Sequence, residues 1–242
     1  MHQPDYRNPK TPPMKKTTLS VTWLFIAALT IVPAIRTVAQ KTFEGVITYK
    51  ITYPDNKFTD SQMAMFPKIL TVTIKGEKSK TDIQTGMGNQ TVIYDYNAKT
   101  RTTLMDMMGQ KFAIRSSWEE IQKEMETEAK GQVQLTGETK TIAGYLCKKA
   151  IVTVDDKGTK YTFDVYYNGE LGPKTANFDN SLYKDIEGVL LEFGMHTPQF
   201  TMKFTATAVD KKSIPAKDFE IPQDYTLTTK DELKSKFGGM EQ

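Results

Sequence analysis

Residues 199–209, QFTMKFTATAV, alternate between apolar and polar positions. Phe200, Met202, Phe204, Ala206 and Ala208 fall on one side, with Thr201, Lys203, Thr205 and Thr207 on the other. A period of two predicts a strand with one buried face. The same period runs through most of the chain. In FEGVITYKITY, Phe43, Gly45, Ile47, Tyr49, Ile51 and Tyr53 share a face, as do Leu70, Val72 and Ile74 in ILTVTIK. Val92, Tyr94 and Tyr96 line one side of TVIYDY, and Tyr161, Phe163, Val165 and Tyr167 one side of TKYTFDVYY. Shorter strands are expected in TRTTLMDM and QKFAIR around Gly109, and in GVLLEFGM. Ala143-Gly144 separates QVQLTGETKTI from YLCKKAIVTV, and DDKG forms a hairpin turn before TKYTFDVYY. Roughly ten or eleven strands at short spacing, with no recurring helix between them, predict an antiparallel sheet.

One long helix is expected, in SWEEIQKEMETEAKG. Ser116 or Ser117 caps it, with Glu119 or Glu120 three residues on. Trp118, Ile121, Met125 and Ala129 make its apolar stripe, Glu119–Lys123 and Glu126–Lys130 support its wet side, and Gly131 ends it. A shorter helix, Lys230–Phe237, closes the chain. The fold class is therefore mainly β: a single curved antiparallel sheet, a half-barrel of roughly ten strands, with one covering α-helix. A helix of about fifteen residues is roughly 22 Å long and covers only part of such a sheet. The rest of the apolar face must be hidden by curling or by a bound guest. A curled sheet with a helix across its mouth makes a concave apolar site, whereas full curling gives a solid core.

Residues 1–39 are a different material. After a Pro-rich start come Met14-Lys15-Lys16, the apolar run WLFIAALTIV, and the small-residue site Thr37-Val38-Ala39. Basic, apolar and small segments in that order describe a secretory signal peptide cleaved after Ala39, with Met14 a possible true start. The run stops at Pro33 and Arg36, short of the roughly 20 apolar residues of a spanning helix, so no transmembrane anchor is expected after cleavage. The whole chain carries a formal charge of +3. Removing the leader's Arg7, Lys10, Lys15, Lys16, Arg36 and Asp5 leaves 27 positive and 28 negative residues from position 40 on, a formal −1. The basicity thus belongs to the leader, and no nucleic-acid partner is expected. With one cysteine, Cys147, no intrachain disulfide forms. Gln40, not cysteine, begins the mature chain, which predicts a non-lipidated protein of the periplasm or associated with the outer membrane. Residues 40–242 form the single β domain.

Chemistry is sparse. Beyond His2 the only histidine is His196, expected in a surface loop, which removes multi-histidine metal sites and most triads. Cys147 reads as a small buried thiol. Asp155-Asp156 is turn chemistry. Asp179, Asp185, Glu187 and Glu192 surround a loop with no neighbour that raises a pKa. No catalytic elbow, phosphate loop or zinc-protease motif is present, so no enzyme and no cofactor are expected. Twelve methionines, among them Met105, Met107 and Met108 together, offer soft thioethers suited to Cu(I) as a minor alternative, and equally supply adaptable packing.

The segment GETKTIAGYLCKKAIVTV resembles the centre of a domain-of-unknown-function family of exported bacterial proteins, related to the GLPGLI family. The resemblance rests on Gly144, Tyr145, Cys147, Lys148 and Ala150, on Tyr166-Tyr167, and on the closing KSIPAKDFEIPQDY. Glu187 stands where the GLPGLI segment has proline, in Ile186-Glu187-Gly188-Val189-Leu190. The resemblance covers roughly residues 40 to 228. It implies a LolA-like fold, an incomplete barrel with an acyl-binding hollow, and no residue-level activity. The expected function is binding of a hydrophobic ligand (a lipid, a lipoprotein acyl chain or an apolar peptide) in the concave sheet. Tyr49, Tyr94, Phe163, Tyr167, Phe200, Met202 and Phe204 would form the inner wall, and Trp118, Ile121 and Met125 the lid. Apolar desolvation, at about 25 cal/mol per Å² buried, would drive it. The rival expectation is a solidly packed, non-enzymatic scaffold or accessory protein of the envelope, acting on a protein partner.

Overall fold

The computed structural model describes residues 42–237 apart from 55, 87, 108 and 157. Residues 1–39, where a leader is expected, lie outside them. The described residues form twelve strands: β1 (Glu44–Thr52), β2 (Ile69–Lys75), β3 (Lys78–Thr85), β4 (Gly88–Asp95), β5 (Thr100–Met107), β6 (Gln110–Ser116), β7 (Gly131–Ile142), β8 (Tyr145–Asp156), β9 (Thr159–Asn168), β10 (Val189–His196), β11 (Thr201–Lys211) and β12 (Thr226–Thr228). They form one open sheet in the order β12-β6-β5-β4-β3-β2-β1-β11-β10-β9-β8-β7. Neighbours are antiparallel, except that β12 lies parallel to β6. Three short α-helices accompany them: α1 (Asp60–Met63), α2 (Trp118–Thr127) and α3 (Lys230–Phe237).

Connectivity explains the curl. The chain meanders from β1 out to β6, crosses through α2 to the far edge at β7, and works back to β11 beside β1. In the sheet order β6 and β7 stand ten steps apart, about 48 Å if flat. The α2 crossing, one helix and a few extended residues, reaches roughly 29 Å. The sheet therefore rolls until α2 bridges its two wings.

The helix differs from expectation. Ser117 is the cap, its hydroxyl accepting from the Glu120 N–H and the Glu120 carboxylate accepting from the Ser117 N–H. But α2 has 10 residues and stops at Glu128, whose backbone is extended. Gly131 is not the helix terminator. It opens β7, and its N–H donates to the Ser181 carbonyl at 3.2 Å. A Cβ there would lie 2.1 Å from the Leu182 carbonyl oxygen, so the glycine permits close passage of another chain segment. The strand at 199–209 is also corrected. Ala206 pairs with Tyr49 but Ala208 with Thr48, a bulge that turns Ala208 outward and Val209 toward the core.

What hides the concave face is not chiefly the helix. The twenty residues of 169–188, between β9 and β10, run across it as successive turns and bury Leu171, Phe178, Tyr183 and Ile186. Leu171 joins the cluster of Ile47, Tyr49, Ile51, Ile74 and Phe204. Tyr183 and Ile186 join Ala150, Val152, Val154, Val165 and Leu190. The other face of the β4–β6 wing is covered by the segment after β11, whose Ile214 and Phe219 pack on Ile93, Leu104 and Ala113. No helix among the described residues is long and apolar enough to cross a membrane.

Candidate functional site

Beneath the 173–180 arm of that segment lies a cavity of about 160 Å³. Its sheet wall comes from β1 to β4 and the turn after β4: Tyr49, Leu70, Val72, Ile74, Ser79, Tyr94 and Tyr96. Strand alternation places these residues on one side, so the wall follows from the period-two pattern. Val189, Leu190 and Phe193 of β10 close it laterally, and Pro173, Ala176, Asn177, Asp179 and Asn180 roof it.

The polar atoms around it are partnered. The Tyr49 hydroxyl donates to the Leu190 carbonyl at 2.9 Å, and the Ser79 and Tyr96 hydroxyls share a bond of 2.7 Å. Tyr183 donates to the Gly194 carbonyl. Burial pushes the hydroxyls of Tyr49, Tyr94, Tyr96 and Tyr183 above the ordinary phenol range. They are neutral hydroxyls at any physiological pH.

The cavity has one charged end. Arg101 on β5 is the cross-strand partner of Tyr94 on β4. Its Nη1 donates to Asp179 Oδ2 at 3.3 Å and its Nη2 to Glu124 Oε2 on α2 at 2.5 Å. Lys230 of α3 completes the chain by pairing with Glu124. The Asp179 side chain is 11% exposed. Burial pushes its carboxyl up, against the downward pull of Arg101. The expectation that no carboxylate here has a raised pKa fails, because the sheet residue that buries it, Tyr94, comes from distant sequence. Glu192 differs: burial raises it, but Lys140 at 3.0 Å and Lys203 at 3.1 Å outweigh that and hold it below the usual carboxylate range.

The expected wall residues scatter. Tyr49 and Tyr94 line the cavity. Phe204 stands one layer behind, stacked at 4.6 Å on Phe193, which meets Tyr49 edge-on at 6.1 Å. Phe163 packs under Gly194, where an added Cβ would come within 2.3 Å of its ring. Tyr167 lines a separate surface cleft of about 770 Å³ with Leu135, Leu146 and Lys148. That cleft is larger, but Leu135 and Leu146 are 62% and 65% exposed, so it offers little desolvation. Phe200 belongs to an aromatic knot with Tyr53, Phe58 and Phe66 at the end of the sheet, and Met202 pairs with Met195 across β11 and β10. Trp118, Ile121 and Met125 do come together, against Tyr96 and Phe178. They brace the arm instead of roofing the cavity. Sequence reasoning missed Tyr96, Leu190, Phe193 and the whole roof. A signal was present: Phe178, Leu182, Tyr183 and Ile186 are too apolar for a free loop.

His196 is not a loop residue. It ends β10, stacks on Tyr161 at 3.8 Å and shares a 2.8 Å bond with Thr201. Of the methionine trio, Met105 pairs with Phe112 across β5 and β6, while the Met107 side chain and Met108 lie outside the described residues. Among the described residues, no group of three or more His, Cys, Asp or Glu is placed to hold a metal ion.

These features define a mainly β protein with one open, curled antiparallel sheet around a segment of its own chain. No protein-family model and no curated protein matches it. Among solved structures, PNGF-II is similar over 81% of this chain, at 16% identity and a TM-score of 0.50. This chain spans 32% of that one, and the likeness is one of fold. Mycobacterium tuberculosis lipoprotein LppX is similar over 71% of this chain and 89% of its own, at 10% identity and a TM-score of 0.35. A β-barrel-like protein of domain of unknown function DUF1849 from Brucella abortus is similar over 72% of this chain and 100% of its own, at 10% identity and a TM-score of 0.36.

Proposed function

We propose that this protein is an exported, non-catalytic module of the bacterial envelope that holds a hydrophobic guest between its concave sheet and the 173–180 arm. The leader expected at 1–39 supports export, and the resemblance around Gly144 to Tyr167 supports a LolA-like role. The observation that carries the binding proposal is the cavity lined by Tyr49, Leu70, Val72, Ile74, Leu190 and Phe193 beneath an arm without helix or strand.

Its volume sets a condition. Sites for drug-sized ligands run to roughly 300–1,000 Å³, and this cavity is about 160 Å³. A lipid acyl chain or an apolar peptide therefore enters only when the arm withdraws and the sheet wall is uncovered. The arm, not α2, is the moving cover. Native mass spectrometry after mild purification tests the reading. Co-purified lipid, lost when the arm is cross-linked shut, is expected.

A second reading has its own support. Ile47, Tyr49, Ile121, Tyr183 and Leu191 are at most 2% exposed, so most of the interior is filled by the protein's own side chains. A packed envelope scaffold would give bare polypeptide in the same experiment, and no binding of added amphiphiles.

A further inference from the structure

The charged end of the cavity selects among hydrophobic guests. We propose that Arg101 is the anchor for the head of a carboxylate-bearing amphiphile, and that Asp179 holds that place while the arm is closed. The inference rests on the binding function proposed above and adds the class of guest.

Arg101 and Tyr94 are direct cross-strand partners on the same face of the sheet, and Tyr94 lines the cavity. The guanidinium is thus fixed at the cavity's edge by strand register. One edge of it is committed to Glu124, which Lys230 also holds. Its other edge meets a carboxylate that belongs to the arm, Asp179, and that carboxylate itself lines the cavity. The apolar wall of Leu70, Val72, Ile74 and Phe193 belongs to the same cavity. A guest with an alkyl body along that wall and a carboxylate at the Asp179 position reproduces contacts the fold already makes. Arginine suits this role because its guanidinium stays charged and offers several donors, so that one carboxylate can sit on Nη2 and another on Nη1.

Exchange links head-group recognition to opening. Asp179 lies on the arm, next to Phe178, which packs on Tyr94, Tyr96 and Trp118. A guest carboxylate on Arg101 displaces Asp179, and the arm carrying it lifts. The charge cost is small in either direction, since one buried carboxylate replaces another. Besides Arg101, the groups that face Asp179 are Tyr94 on β4 and Tyr96 just beyond its end. Burial pushes the Asp179 carboxyl up, and withdrawal of the arm returns that carboxylate to water.

Isothermal titration of the full chain with octanoate, octanol and octyltrimethylammonium tests this. Octanoate is expected to bind at least roughly tenfold tighter than octanol, and the ammonium weakest. Arg101→Gln is expected to abolish that preference, so that octanoate and octanol bind with equal affinity. Asp179→Asn removes the internal competitor at constant shape and is expected to tighten octanoate severalfold. A purely structural ion pair predicts the opposite, with both variants weakening every ligand alike. Octanol and octanoate binding equally, or Asp179→Asn weakening octanoate, overturns the Arg101 assignment and leaves the hydrophobic site standing. No binding of any of the three overturns both. If Arg101→Gln does not fold, as thermal unfolding would report, the Asp179→Asn result decides alone.

Discussion

Cys147 is fully buried at the residue scale, as its place in an alternating strand implied. Burial pushes its thiol up to about 11. Thiol reagents at pH 8 are therefore expected to leave the native protein unmodified and to label it on unfolding, measured by absorbance of the released thiolate. The linkage has a definite sign. Because the folded pKa lies above the ordinary value of 9.0, the unfolded chain loses this proton first. Stability from this group is complete below pH 9 and declines as pH rises toward 11. Gly188 gives a second single-residue prediction. It sits at φ +104, and a Cβ would lie 2.6 Å from the Asn168 carbonyl oxygen. Gly188→Ala is expected to cost about 2–4 kcal/mol in urea unfolding. Not every residue was legible. His196 and Asp179 take their surroundings, Tyr161 in one case and Arg101 in the other, from remote strands. A window of sequence carries no record of such neighbours.

At the scale of elements, capping and period were readable and lengths were not. The Ser117–Glu120 capping box is local chemistry, and it is where the sequence places it. Ser117→Ala is expected to destabilise by about 1 kcal/mol, read as a lower urea midpoint with an unchanged slope. The end of α2 was misplaced because Gly131 answers to the Leu182 carbonyl, a tertiary neighbour. The bulge in β11 was likewise invisible, since two of its residues oppose one step of β1 and the period alone gives no warning. The arm has the largest consequence. Replacing 173–180 by a glycine–serine linker of equal length is expected to uncover the sheet wall. It should raise the fluorescence of a bound hydrophobic dye severalfold while the strand signal in circular dichroism persists. An unchanged dye signal would mean that the arm covers no usable apolar surface.

At the largest scale the described residues form one sheet with β12 at one edge and β7 at the other. At one end β12, three residues long, lies parallel on β6 through Thr226, Leu227 and Thr228. Ending the chain at residue 223 would bare the β6 edge at Phe112, Ala113 and Ile114, and unpaired strand edges recruit other strands. Concentration-dependent association in sedimentation velocity is the expected outcome, with the full chain as the reference. The mismatch between a wide apolar sheet and scant helix is real at this scale, but the chain resolves most of it by folding 169–188 inward, leaving about 160 Å³. What the sequence determined by itself is everything with a short period or a local partner: the strands, their buried faces, the helix cap and the turns. These depend on side-chain alternation and on hydrogen bonds between residues a few positions apart. Tertiary structure alone decided what covers the concave face, which tyrosines meet there, and that Arg101 and Asp179 share one site. Each of those follows from strand order and curl, which bring together residues such as Tyr49 and Leu190, hydrogen-bonded though 141 positions apart. No local pattern encodes a distance of that kind.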